Sequence, residues 1–182
     1  MQWLHEPPIW KAEGSTLIVT TGPKTDFWRK THYGFVRDNG HFYAEYVSGD
    51  FVAEVKVIGY YRDQYDHAGL MIRLDEANWL KCGIEFVDGA QCVSAVVTRD
   101  YSDWSVLPAP DDPGALWLRV TRQGDAVEVH YSFDGEHFHM LRLAHLTLAE
   151  TLGVGPMCAS PDGNGFDVRF DGFHVQPLSA RP

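Results

Sequence analysis

Short stretches of strict alternation between apolar and polar residues recur along this chain, and they commit it to β-structure. In 51–58 the apolar side chains Phe51, Ala53, Val55 and Val57 fall on every second position. Leu70, Ile72 and Leu74 oppose Met71 and Arg73. Leu80, Cys82, Ile84 and Phe86 oppose Trp79, Lys81, Gly83 and Glu85. Residues 92–98, 116–122, 126–133 and 166–175 repeat the pattern. Successive side chains of a strand point to opposite faces, so each stretch presents one face to a core. Between them lie Arg37-Asp38-Asn39-Gly40, Asp88-Gly89, Gln123-Gly124-Asp125 and Asp134-Gly135, residues that tolerate the positive φ of tight turns. Residues 145–152 alone, with Leu146, Leu148, Ala149 and Leu152, predict one or two helical turns. Many short strands with almost no helix predict an all-β sandwich or barrel. No linker or repeat divides the pattern, and the Pro-rich 107–114 reads as a surface loop, so one domain over 1–182 is expected.

Composition narrows the classes of function. The chain has 182 residues and a net charge of −10, from 15 Lys+Arg against 25 Asp+Glu. A nucleic-acid surface or an anionic membrane surface needs the opposite balance, so neither partner is expected. A hydrophobic content of 45% excludes a disordered chain. No apolar run is long enough to span a bilayer, and the first residues lack the pattern of a signal peptide. The three cysteines, Cys82, Cys92 and Cys158, have no CxxC spacing and suit unpaired, buried thiols in a reducing cytoplasm.

Several segments carry a family resemblance. Asp26-Phe27-Trp28-Arg29, His41-Phe42-Tyr43 and Tyr65-Asp66-His67-Ala68-Gly69-Leu70-Met71-Ile72-Arg73 come in order. Trp79-Leu80-Lys81-Cys82-Gly83-Ile84-Glu85-Phe86 and Thr98-Arg99-Asp100-Tyr101-Ser102-Asp103-Trp104-Ser105 follow. Together with the Asp134-Gly135 hairpin and Ser160-Pro161-Asp162-Gly163, this series resembles the uncharacterised "regulation of enolase" family of the concanavalin A-like lectin/glucanase superfamily. It is more distantly similar to the C-terminal sandwich domain of β-xylosidases. The resemblance implies a two-sheet antiparallel jelly roll with a concave face, and it supplies no settled activity.

The candidate site residues fall in two groups. If Leu70/Ile72 and Leu80/Ile84 face the core, then Arg73, Trp79, Lys81 and Glu85 share the opposite face. Trp117 and Arg119 join it if their strand lies in the same sheet, and Glu54 and Thr98 could do so by the same logic. Rings that stack on a sugar and charged groups that bond its hydroxyls would suit a carbohydrate or related polar small molecule. A solvated ladder of ion pairs, Arg73 with Glu85 for example, fits the same pattern. The second group lies in loops where an Asp stands beside an aromatic residue: Trp28 and Arg29, Asp66, and Ser102, Asp103 and Trp104. Trp28 and Trp104 could equally plug the ends of the core, with Asp26 and Asp103 capping turns.

Signals for catalysis are sparse. The Glu-x-Asp-x-x-Glu string of the superfamily's glucanases is absent, which leaves Glu85 and Asp66 as the pair that could flank a glycosidic bond. No nucleophile motif occurs. His137 and His139, or the Asp-rich 111–112 and 162–164, could each supply part of a metal shell, but none forms a set, so no metal or cofactor is expected. The expectation is a binding module, monomeric or homodimeric. The alternatives are a glycoside-active enzyme and a protein-interaction module in carbohydrate metabolism.

Overall fold

The computed structural model describes residues 1–178, so the last four positions of the expected domain lie outside the described residues. The alternating stretches form strands, and tight turns pair them. Asp88 and Gly89, both at positive φ (51° and 83°), make the two-residue turn of one hairpin. In chain order the strands are β1 (Gln2–Leu4), β2 (Ile9–Glu13), β3 (Thr16–Thr20), β4 (Phe27–Arg29), β5 (Val36–Asp38) and β6 (His41–Ser48). Next come β7 (Phe51–Gly59), β8 (His67–Asp75), β9 (Asn78–Val87), β10 (Ala90–Arg99) and β11 (Tyr101–Pro108). The last five are β12 (Leu116–Gln123), β13 (Ala126–Ser132), β14 (His139–His145), β15 (Thr151–Ala159) and β16 (Asp167–Pro177).

Two seven-stranded antiparallel sheets face each other. The first has the order β1-β6-β15-β8-β9-β10-β11 and the second β14-β13-β12-β7-β16-β3-β2. The faces chosen by alternation fill the space between them: Phe51, Ala53, Val55 and Val57 from β7, Leu70 and Ile72 from β8, Leu80, Cys82 and Ile84 from β9. Leu74 departs from this set. The register shifts between Arg73 and Asp75, and Leu74 is exposed.

The outer face of the first sheet is also buried. A separate two-stranded ribbon, β4-β5, lies over it. Phe27 and Trp28 of the ribbon pack with Phe42, Ala44, Met71, Trp79, Val96 and Met157 of the sheet. Trp79, read as a residue of a polar face, is fully enclosed there. The first sheet is therefore covered on both faces, by the second sheet on one side and in part by the ribbon on the other.

The expected helix at 145–152 does not form. β14 runs through His145, β15 begins at Thr151, and the chain between them crosses from one sheet to the other. The carbonyls of Ala149 and Glu150 accept the guanidinium of the buried Arg122 instead of helical N–H groups. Leu146 and Leu152 are both buried, which gave the segment its apolar spacing. The spacing of His137 and His139 suits one face of a strand, but His137 sits in the turn bonded to Asp134 and only His139 lies on β14.

Gly69 and Gly83 face each other across β8 and β9. A Cβ on Gly83 would lie 2.0 Å from the carbonyl oxygen of Ala68, and one on Gly69 1.8 Å from that of Cys82. Gly83→Ala should therefore lower unfolding free energy by about 2–3 kcal/mol, a cost of overpacking readable by urea denaturation.

Candidate functional site

A cleft of about 220 Å³ opens between the ribbon and the outer face of the first sheet. Alternation on β9 aims Lys81 and Glu85 into it, and Trp104 reaches it from β11. The ribbon and its loop supply Asp26, Trp28, Tyr33, Phe35 and Arg37. Tyr65, Pro161 and Asp162 close the remaining side.

The walls are aromatic. Tyr33 stacks on Phe35 (5.4 Å between centroids, 19° between planes) and meets Trp28 edge-on. Tyr65 meets Trp104 edge-on, and the Arg37 guanidinium lies over Phe35. The Tyr33 and Tyr65 hydroxyls lie 3.2 Å apart, and this hydrogen bond, with burial, pushes the Tyr33 pKa up to about 12. Tyr65 holds a left-handed φ of 66°, a costly conformation for a bulky residue.

The floor is polar and internally paired. The Lys81 ammonium donates to Phe27 O (2.9 Å) and to His67 Nε2 (3.1 Å), and lies 3.5 Å from Asp26 Oδ1. The buried His67 donates from Nδ1 to Tyr65 O (2.8 Å), which fixes the neutral tautomer with Nε2 as acceptor. Burial, reinforced by the Lys81 charge, holds the His67 pKa well below the usual histidine range. Glu85 accepts Ser94 Oγ (2.7 Å) and Trp104 Nε1 (2.8 Å), both at Oε2. Burial pushes its carboxyl up, against the opposing pull of Lys81 and these two donors, while Asp26 adds to the rise.

The sequence-derived candidates thus separate. Trp28, Lys81, Glu85 and Trp104 converge on the cleft, together with Asp26. Arg73 does not pair with Glu85. It makes a bidentate pair with Asp38 of the ribbon (2.7 and 2.8 Å), while Glu85 stands opposite His67. Arg119 and Trp117 lie on β12 in the second sheet, where Arg119 pairs with Glu54, so neither shares the face with Lys81. Asp66 is fully buried under the loop: backbone N–H groups of Arg62 and Asp63 donate to Oδ2, and Ser160 Oγ donates to Oδ1. It does not line the cleft, so Glu85 and Asp66 do not face each other across it. Thr98 and Ser102 bond one another, and Ser102 Oγ accepts the Arg29 N–H, tying the ribbon to the sheet edge. The Arg29 side chain pairs with Asp100, and Asp103 pairs with Arg142 near the other sheet. Among the described residues no three His, Cys, Asp or Glu side chains group as metal ligands.

Tyr33, Phe35, Arg37, Tyr65, Pro161 and Asp162 also line the cleft and are not among the ligand-binding residues expected from the sequence. The two-residue spacing of Tyr33, Phe35 and Arg37 is the signal that could have marked them as one face.

The model of a family described as "Protein of unknown function (DUF1349)" matches residues 3–178. The chain belongs to the DUF1349 family. "Regulation of enolase protein 1" of Saccharomyces cerevisiae is 39% identical over 168 residues, 92% of this chain and 85% of the yeast protein. A solved structure of a functionally unknown S. cerevisiae protein superposes with a TM-score of 0.94 at 38% identity, covering 98% of this chain and 97% of that one. Fold similarity extends to the GH43 protein BlXynB of Bacillus licheniformis, with TM-score 0.76, 18% identity, 97% of this chain and 36% of that one. It also extends to the carbohydrate binding module CBM66 of Bacillus subtilis, with TM-score 0.63, 12% identity, 96% of this chain and 94% of that one. These two likenesses show the fold, a two-sheet antiparallel β-sandwich.

Two measurements test this description of the DUF1349 site. Glu85 has a raised pKa, so its burial favours the fold when protonated, and that contribution is lost as pH rises through the folded-state pKa. Glu85→Gln should lose this part of the pH dependence, so that its melting temperature gains on the wild type as pH rises from 5 to 8. Asp66→Ala removes the acceptor of the Arg62 and Asp63 N–H groups and of the buried Ser160 hydroxyl, and should destabilise the fold by about 3 kcal/mol in denaturant melts.

Proposed function

We propose that this DUF1349 chain is a non-catalytic module that holds a carbohydrate or related polar small molecule in the cleft between the ribbon and the first sheet. The carrying observation is the pairing of aromatic walls with a polar floor. Trp28, Tyr33, Phe35, Tyr65 and Trp104 offer flat apolar surface, while Asp26, Lys81 and Glu85 offer fixed polar groups. Apolar walls with a few placed polar groups are the general form of a small-molecule site. A sugar matches it, because its ring presents C–H faces and its rim presents hydroxyls. The fold kinship with a protein named as a carbohydrate binding module supports the reading. The name of the yeast relative adds a role in regulation, which a module that senses a carbohydrate would fill.

A non-catalytic reading is favoured over glycoside hydrolysis because Asp66 is spent on holding the loop. The three buried, unpaired cysteines fit a reducing compartment, in keeping with a cytoplasmic location. No described helix is long and apolar enough to cross a membrane. Glycan-array screening followed by calorimetry tests the proposal. At least one carbohydrate should bind, and Trp104→Ala should weaken it about tenfold or more. A chain that binds no carbohydrate on the array or in the calorimeter contradicts the reading.

A further inference from the structure

The hydrogen-bonding state of the cleft narrows the class of ligand. Its deep donors are already engaged. Lys81 serves Phe27 O, His67 Nε2 and Asp26, Trp104 Nε1 serves Glu85, and Trp28 Nε1 serves Thr31 O. The oxygens are less occupied. At Asp26 both Phe27 N and Lys81 address Oδ1, and at Glu85 both donors address Oε2. Among the described residues, Asp26 Oδ2, Glu85 Oε1 and the exposed Asp162 carboxylate receive no hydrogen bond from the protein. These oxygens favour a ligand that brings donors, while Arg37 and the Tyr33–Tyr65 hydroxyl pair keep donors at the rim for its acceptors.

Charge decides between the two kinds of donor. An ammonium ligand would meet Lys81 and Arg37 in the same lining. A phosphate or carboxylate brings only acceptors and would meet Asp26, Asp162 and Glu85. A hydroxyl both donates and accepts, so it also suits Glu85 Oε1 whether or not that oxygen carries a proton.

We propose that the cleft selects an uncharged polyhydroxyl ligand, with hydroxyl groups donating to Asp26 Oδ2 and Asp162, and rejects anionic and cationic sugars of the same shape. This rests on the carbohydrate-binding reading and sharpens it. Titration of the full chain, read by tryptophan fluorescence, tests it. The probes are methyl glycosides of glucose, galactose, xylose and fructose beside glucuronate, galacturonate, glucose 6-phosphate and glucosamine. A neutral glycoside should bind at least tenfold tighter than the charged forms of the same sugar. In Asp162→Asn, an exposed change that leaves the core intact, the gap between glucoside and glucuronate should narrow severalfold. A charged sugar that binds as well as its neutral form overturns the selectivity and leaves the carbohydrate reading standing. So does an unchanged gap in Asp162→Asn. If no probe binds at all, both fall.

Discussion

A single buried ammonium ties the second layer of this protein to the first. Lys81 is almost wholly enclosed, and a charge so placed survives only with its hydrogen bonds met. Its partners come from different parts of the chain: Phe27 O and Asp26 from the ribbon region, His67 from β8. Meeting its needs brings ribbon and sheet together. Arg73 with Asp38, and Ser102 with the Arg29 backbone, fasten the same two parts farther along. Apolar packing of Phe27 and Trp28 on Met71, Trp79 and Val96 supplies the bulk of the contact, and the polar ties set its register.

The cleft follows from this attachment. The ribbon covers part of the sheet face and leaves the end near Glu85 and Trp104 open, with Tyr33, Phe35 and Arg37 as an overhanging wall. His67 links floor and wall, since it accepts from Lys81 and donates to the carbonyl of the strained Tyr65. Contacts within the protein hold both rings and charges in place, and such fixed groups lower the ordering cost of binding. The local balance of charge in the cleft differs from the acidic whole, because Lys81 answers Asp26 and Arg37 adds a second cation to the lining.

The inner faces of the sandwich were legible in the sequence, because period-2 alternation reports which residues can share a core. The outer face was not. Trp79, Lys81 and Glu85 were placed on the right side of β9, but nothing local to them says that a three-residue-stranded ribbon will bury that side. Pairing between β8 and β9 could not be read either: it sets Trp79, not Glu85, opposite Arg73, and sends the guanidinium to Asp38. The condition on Arg119, that its strand share a sheet with β9, is not met, and alternation could not decide it because it gives a face and not a sheet. Asp66 illustrates a further ambiguity. An aspartate beside an aromatic residue in a loop reads alike whether it meets a ligand or, as here, holds the loop from within.

Indole N–H resonances provide the most direct measurement. The chain has six tryptophans, of which Trp28 and Trp104 line the cleft, while Trp79 is enclosed beneath it and Trp117 lies on the other sheet. On titration with neutral methyl glycosides, the Trp28 and Trp104 signals should shift saturably and the other four should hold still. Shifts spread over all six, or confined to Trp3, Trp10 and Trp117, would contradict a ligand cleft between ribbon and sheet.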